Sequence, residues 1–239
     1  MKKKIELHTE YVADGTRKYW TDGKAVYYKG YLVRGAKPDN FYCFDNNDIF
    51  AIDDKYCYIL NSRIAGADVN TFQILNATYA KDKNHAYCFA GKIKEADPSS
   101  FQGLDDYYAS DNNHVFFYDY EGNVGKAKMV KKADPKTFVP LNGGAFGKDD
   151  NNIFSWGLPL NKANVETWVK FSAHPKSYYS KDDKRIYYLN REVKEADYHT
   201  FEVLIPPNDG FNLTQLAKDK NQFYFCELII SEEEYQKMI

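Results

Sequence analysis

One aspartate recurs along this chain with its surroundings held in register: Asp22, Asp53, Asp82, Asp111, Asp149, Asp182 and Asp219. Five residues after each stands an aromatic: Tyr27, Tyr58, Tyr87, Phe116, Phe154, Tyr187 and Tyr224. Three residues before each stands an apolar group: Tyr19, Phe50, Tyr79, Tyr108, Phe146, Tyr179 and Leu216. Downstream, an alanine follows at fourteen residues in five repeats (Ala36, Ala67, Ala96, Ala163, Ala196), and Ala133 joins them once an eight-residue insertion is allowed. Five residues after each alanine comes an aromatic: Phe41, Phe72, Phe101, Phe138, Trp168 or Phe201. The anchors lie 29 to 38 residues apart. Self-similarity at such a period marks a repeat architecture, in which each unit buries its apolar face against its neighbours.

The local structure of one unit follows from its residues. Tyr79-Ala80-Lys81 reads as a short strand, and Asp82-Lys83-Asn84 as a turn in which the carboxylate accepts from the backbone two residues on. Ala86 to Phe89 is the returning strand, Ala90-Gly91 a second turn, and Lys92-Ile93-Lys94 a third strand. Asp97 is placed as the cap of one helical or 3₁₀ turn with Pro98 at its first position. Phe101 and Leu104 then plug the gap to the next unit. Three strands and a plug make one unit, giving about twenty strands in all. On this reading Asp82→Ala loses only a local cap, about 1 kcal/mol.

The expected fold is all-β: about seven tandem repeats of short antiparallel hairpin units in a curved, stacked array, with a seven-bladed propeller-like ring as the alternative. Residues 1–239 form a single repeat domain, with 1–18 an N-terminal cap, 19–230 the repeats and 231–239 a short C-terminal helix. The helix is expected because Ser231 and Glu234 have capping-box spacing.

The Asp-Lys-Asn turn at Asp82, its following aromatic, and the recurring Ala-Asp-Pro-x-Thr/Ser-Phe resemble the bacterial DKNYY family. Residues 19 to 228 carry the resemblance. The family brings no established activity and no agreed catalytic or binding residues, so the resemblance carries over no site.

Composition narrows the function classes. The chain carries 21 tyrosines and 16 phenylalanines, an enrichment suited to half-buried pleated surfaces. With 32 basic and 34 acidic residues the net charge is −2, and no long basic run offers a nucleic-acid footprint. No apolar run approaches the roughly 18 residues of a membrane span. Met1 to Lys4 resembles the start of a signal peptide, but Ile5 to Glu10 supplies no apolar segment. The chain as written is expected in the cytoplasm, or in the periplasm or at the cell surface if a signal peptide has been removed.

No cofactor or metal is expected. Cys43, Cys57, Cys88 and Cys226 fall at different repeat positions and form no ligand pair, so they read as reduced thiols. The Asp-x-Asn turns suggest calcium at first, but Lys24, Lys55 and Lys184 hold the third position in three repeats, and an ammonium is no cation ligand. His85 and His114 share a position occupied elsewhere by Ala25, Tyr56, Asn152, Arg185 and Gln222, the variety of an exposed edge. No nucleophile–base set, carboxylate pair or phosphate-binding loop emerges.

The expected function is a non-enzymatic repeat scaffold that binds a protein partner of unknown identity, an immunity-type protein being one form. The alternative is a cell-envelope module that binds glycan or surface components. Recognition is expected where the chain departs from its repeat, because repeated residues are explained by packing. That selects Tyr118, Tyr120 and Glu121 at the extension of the fourth unit, and Asn208, Asp209 and Phe211 in the linker before the seventh.

Overall fold

The computed structural model describes residues 4–6, 18–44, 47–119, 126–141, 146–171, 178–204 and 215–238. The chain is all-β and divides into two compact units, Met1–Met129 and Val130–Ile239. Among the described residues the first holds four antiparallel sheets and the second three. Each sheet is built on one anchor aspartate.

The third sheet shows the plan. Gln73–Ile74, Ala80–Lys81, Ala86–Cys88 and Gly91–Ile93 lie side by side in sequence order, each antiparallel to the next. The anchor turn joins the middle pair, with Ala80 opposite Tyr87 and Lys81 opposite Ala86. Gln73–Ile74 comes from the preceding repeat, directly after its plug Phe72. This fourth strand corrects the three-strand unit expected from sequence and raises the count among the described residues to 28. The cause is backbone satisfaction. A chain leaving its plug has N–H and C=O groups that need partners, and the next sheet's open edge supplies them. The dipeptides Gln102–Gly103, Val139–Pro140, Val169–Lys170 and Glu202–Val203 do the same in later sheets. Each repeat is therefore stitched into the next.

Two sheets depart from the plan. The first has three described strands, Tyr19–Thr21, Val26–Tyr28 and Tyr31–Leu32. The second gains a fifth, because Lys4–Glu6 pairs with Tyr42–Phe44, setting Ile5 opposite Cys43.

The plugs make the core. Phe101 is 1% exposed and sits 5.9 Å from Tyr79 of its own repeat and 5.7 Å from Phe116 of the next. The relation repeats: Phe41 touches Tyr19 and Tyr58, Phe72 touches Phe50 and Tyr87, and Phe201 touches Tyr179 and Tyr224. Tilted and edge-on rings at these distances add attraction beyond the burial of area. A small residue two places before each later anchor makes room for the plug: Ala51, Ala80, Ala109, Gly147, Ser180 and Ala217. At Gly147 the fit is tightest, since a Cβ there would stand 2.3 Å from Phe138 Cζ.

The return hairpins turn on residues in the left-handed region, among them Lys29, Leu60, Leu189 and Cys226, with φ between 51° and 56°. Tyrosines of the preceding sheets help to hold two of these turns. Tyr19 Oη donates to the Leu60 carbonyl at 2.6 Å, and Tyr179 Oη to the Cys226 carbonyl at 2.6 Å. At the C-terminus a helix, Glu232–Met238, follows the seventh sheet. Its capping box is complete: Ser231 Oγ accepts from the Glu234 amide, and the Glu234 carboxylate accepts from the Ser231 amide. Tyr235 on its inner face packs 4.4 Å from Phe223.

Candidate functional site

The recurring aspartates and tyrosines are the residues most suggestive of chemistry, and the structure shows how they are used. Asp82 is 2% exposed. Its Oδ1 accepts from the backbone amides of Asn84 and His85, both at 2.7 Å, as the sequence turn requires. Its Oδ2 accepts from Tyr87 Oη at 2.7 Å and from the backbone amide of Asp68 at 2.8 Å. Asp68 lies fourteen residues upstream, in the preceding repeat. One buried carboxylate thus closes its own turn, fixes the aromatic five residues on, and ties down the chain entering its sheet.

This latch recurs. Asp182 binds Tyr187 and the Asn164 amide, and Asp219 binds Tyr224 and the Asp197 amide. Asp111 and Asp149 hold the Asp97 and Asp134 amides, with Phe116 and Phe154 where a phenol stands elsewhere. The picture of Asp82 as a merely local cap is corrected by these long-range bonds.

The electrostatics agree. Burial pushes the Asp82 carboxyl upward, but the Tyr87 hydroxyl and the amides of Asp68, Asn84 and His85 outweigh it and leave the pKa below the usual value. The same balance lowers Asp182 and Asp219. Tyr87, Tyr187 and Tyr224 are raised, first by burial and then by donating to the carboxylate. Outside the latch, Lys83 pairs with Asp68 at 2.7 Å and Lys220 with Asp197 at 2.6 Å. Exposed pairs of this kind stabilise little.

Sequence reasoning missed a second recurrent device. Asn47 Oδ1 accepts from the Ile49 and Phe50 amides, while its Nδ2 donates to the Asn76 carbonyl of the next repeat at 3.0 Å. Asn76 repeats this, accepting from Thr78 and Tyr79 and donating to the Asp105 carbonyl at 2.6 Å. Asp105 accepts from Tyr107 and Tyr108. A signal existed, since all three stand six residues before an anchor aspartate, 29 residues apart. Burial raises the Asp105 carboxyl.

Of the residues expected to recognise a partner, Tyr118 is corrected. It ends the strand Val115–Tyr118, is 6% exposed, and packs edge-on against Phe89 at 5.2 Å. The strand runs one residue further than the repeat implied, and the aromatic ring belongs to the core. Tyr120, Glu121, Asn208, Asp209 and Phe211 lie outside the described residues.

The four cysteines form no disulfide, and three of them are buried. Burial pushes the Cys57 thiol up to about 12 and also raises Cys88, which makes both poor nucleophiles. His85 and His114 turn Nδ1 toward Asp82 and Asp111 at 3.9 and 3.7 Å, but the facing oxygen already accepts two backbone amides. Among the described residues no group of three or more His, Cys, Asp or Glu is placed to hold a metal. No described helix is long and apolar enough to cross a membrane.

Two surface features remain. Tyr31 and Leu228 are 68% and 61% exposed, on strands that each pair with one neighbour among the described residues. A cleft of about 420 Å³ opens between the return hairpins of the second and third sheets.

Fold and motif geometry together define a tandem β-repeat protein whose signature residues are latches between repeats. The sequence profile of the DKNYY family matches residues 50–177 and 117–237. The chain belongs to the DKNYY family. The searches of curated proteins and of solved structures returned no match.

Proposed function

We propose that the protein is a non-enzymatic scaffold that binds a protein partner. The observation that carries this is the outer strand of the seventh sheet, Leu228–Ile230. It pairs on one side with Phe223–Phe225, and its Leu228 and Ile229 side chains are exposed. An edge strand offers a row of backbone donors and acceptors to an incoming extended segment, and exposed apolar side chains on it add contact area. Soluble proteins usually blunt such edges with charge, yet this one carries Leu-Ile-Ile. The latches suit the role, since they hold the sheets rigid and reduce the ordering cost of binding.

The test is a pull-down from the native host lysate using the wild-type chain and Leu228→Lys/Ile229→Glu. The proposal expects a partner retained by the wild type and lost by the variant, with thermal stability unchanged. A partner retained equally by both overturns the edge reading.

A further inference from the structure

The cleft between the second and third sheets lies wholly within the first unit and breaks the repeat in a chemically specific way. In most return hairpins the residue nine places after the anchor is large: Tyr31, Leu158, Arg191 and Leu228. In the second and third sheets it is Ser62 and Gly91, and the loss of bulk on facing hairpins opens the space. The following position also changes. It holds Leu32, Pro159, Glu192 and Ile229 in those other hairpins but Arg63 and Lys92 here. Both cations line the cleft, whose walls include Ile64 and Phe89.

Neither cation is neutralised by a described carboxylate. The Arg63 guanidinium lies 3.3 Å from the centre of the Tyr56 ring, and Lys92 Nζ stands 3.3 Å from His85 Nε2. No acidic side chain lines the cleft. The junction between the sixth and seventh sheets supplies the comparison. There Arg191 on one return hairpin forms an ion pair with Glu227 on the next. Glu227 stands eight residues after its anchor, and the equivalent position in the third sheet is Ala90, a cleft-lining residue. At one junction the chain provides the anion that bridges neighbouring hairpins. At the other it keeps cations and leaves a hole.

The geometry points to a binding site for a small amphipathic acid, one anionic group carried on an apolar body. The acid's charge lies between Arg63 and Lys92, supplying the anion that the cleft itself lacks. Its apolar body lies against Ile64 and Phe89. The volume falls within the range of about 300–1,000 Å³ typical of small-molecule sites. Arginine suits the task, since its planar fork matches a carboxylate while its face stays on the tyrosine ring. This site is separate from the edge strand of the seventh sheet, so the two readings fail independently.

The test titrates the full chain with octanoate and, separately, with octanamide, following backbone amide chemical shifts. Octanoate is expected to shift the amides of Ala65, Ala90 and Gly91 and to bind about tenfold more tightly than the neutral amide, the worth of one charge-assisted contact. Ala90→Glu, which supplies the carboxylate in cis, is expected to abolish octanoate binding. Arg63→Met/Lys92→Met keeps the fold independent of that new charge and is expected to remove the preference for acid over amide. Equal binding of octanoate and octanamide to the wild type overturns the proposal. So do shifts confined to other parts of the chain, and unchanged octanoate binding by a folded Ala90→Glu or by the double variant.

Discussion

Removing the Asp82 carboxylate separates a local turn from an inter-repeat latch. A lost cap alone costs about 1 kcal/mol. The structure predicts more for Asp82→Ala, because the buried Tyr87 hydroxyl and the Asp68 amide lose their acceptor as well. A buried donor left unsatisfied costs about 1–3 kcal/mol, so with two such donors the expected total is about 3–7 kcal/mol. Asp82→Asn divides the effect. Its Oδ1 still closes the turn, but its amide nitrogen cannot accept from Tyr87 or Asp68, and about 2–6 kcal/mol should be lost. Tyr87→Phe should cost about 1.5–3 kcal/mol, the worth of a hydrogen bond to a charged group. Phe116 and Phe154 show that the ring alone fits this position. Together with Asp82→Asn it should be less than additive, because both remove the same bond. The assay is urea unfolding followed by Trp20 fluorescence, with Trp156 and Trp168 changed to Phe so that only the first unit is read. A loss within about 1 kcal/mol for Asp82→Ala would refute the reasoning and return the aspartate to a local cap.

Other expectations follow from the same geometry. Phe101→Ala should cost about 3–5 kcal/mol in the same assay, because the plug is buried between two repeats. Acid should destabilise the chain through Asp82, Asp182 and Asp219. Their folded pKa values are depressed, so their contribution is full above the unfolded value near about 3.9 and is lost as pH falls through the folded values. The urea midpoint should be flat from neutral pH to about 5 and drop below about 4. Asn76→Asp keeps the acceptor but not the donor to the Asp105 carbonyl, and should cost about 1–3 kcal/mol by urea unfolding. Millimolar calcium should leave the melting temperature unchanged, since the anchor carboxylates are engaged by hydrogen-bond donors; a rise of several degrees, reversed by chelator, would contradict this.

The repeat, the hairpin turns, the plugs and the C-terminal capping box were legible because each is encoded in spacings within one unit. The fourth strand was not. Gln73–Ile74 and Val139–Pro140 share no residue pattern, and their pairing is set by where the plug delivers the chain. The latch was half legible. The spacing from Asp82 to Tyr87 marks a recurring pair, but the bond to the Asp68 amide joins one repeat to another. Tyr118 was misplaced because the insertion after it suggested that the loop began earlier than it does. The cleft depends on the coincidence of Ser62 and Gly91 in neighbouring sheets, which no single repeat reveals.

Native-state hydrogen exchange at the backbone amides of Asp68, Asp97, Asp134, Asn164 and Asp197 tests the latch most directly. These residues lie outside the strands and helices, where a free amide exchanges quickly. If anchor carboxylates hold them, all five should be protected nearly as well as the central strands, and Asp82→Asn should release Asp68 while leaving Asp197 protected. Fast exchange at these amides in the wild-type chain would contradict the account, because the carboxylates would then not be joining one repeat to the next.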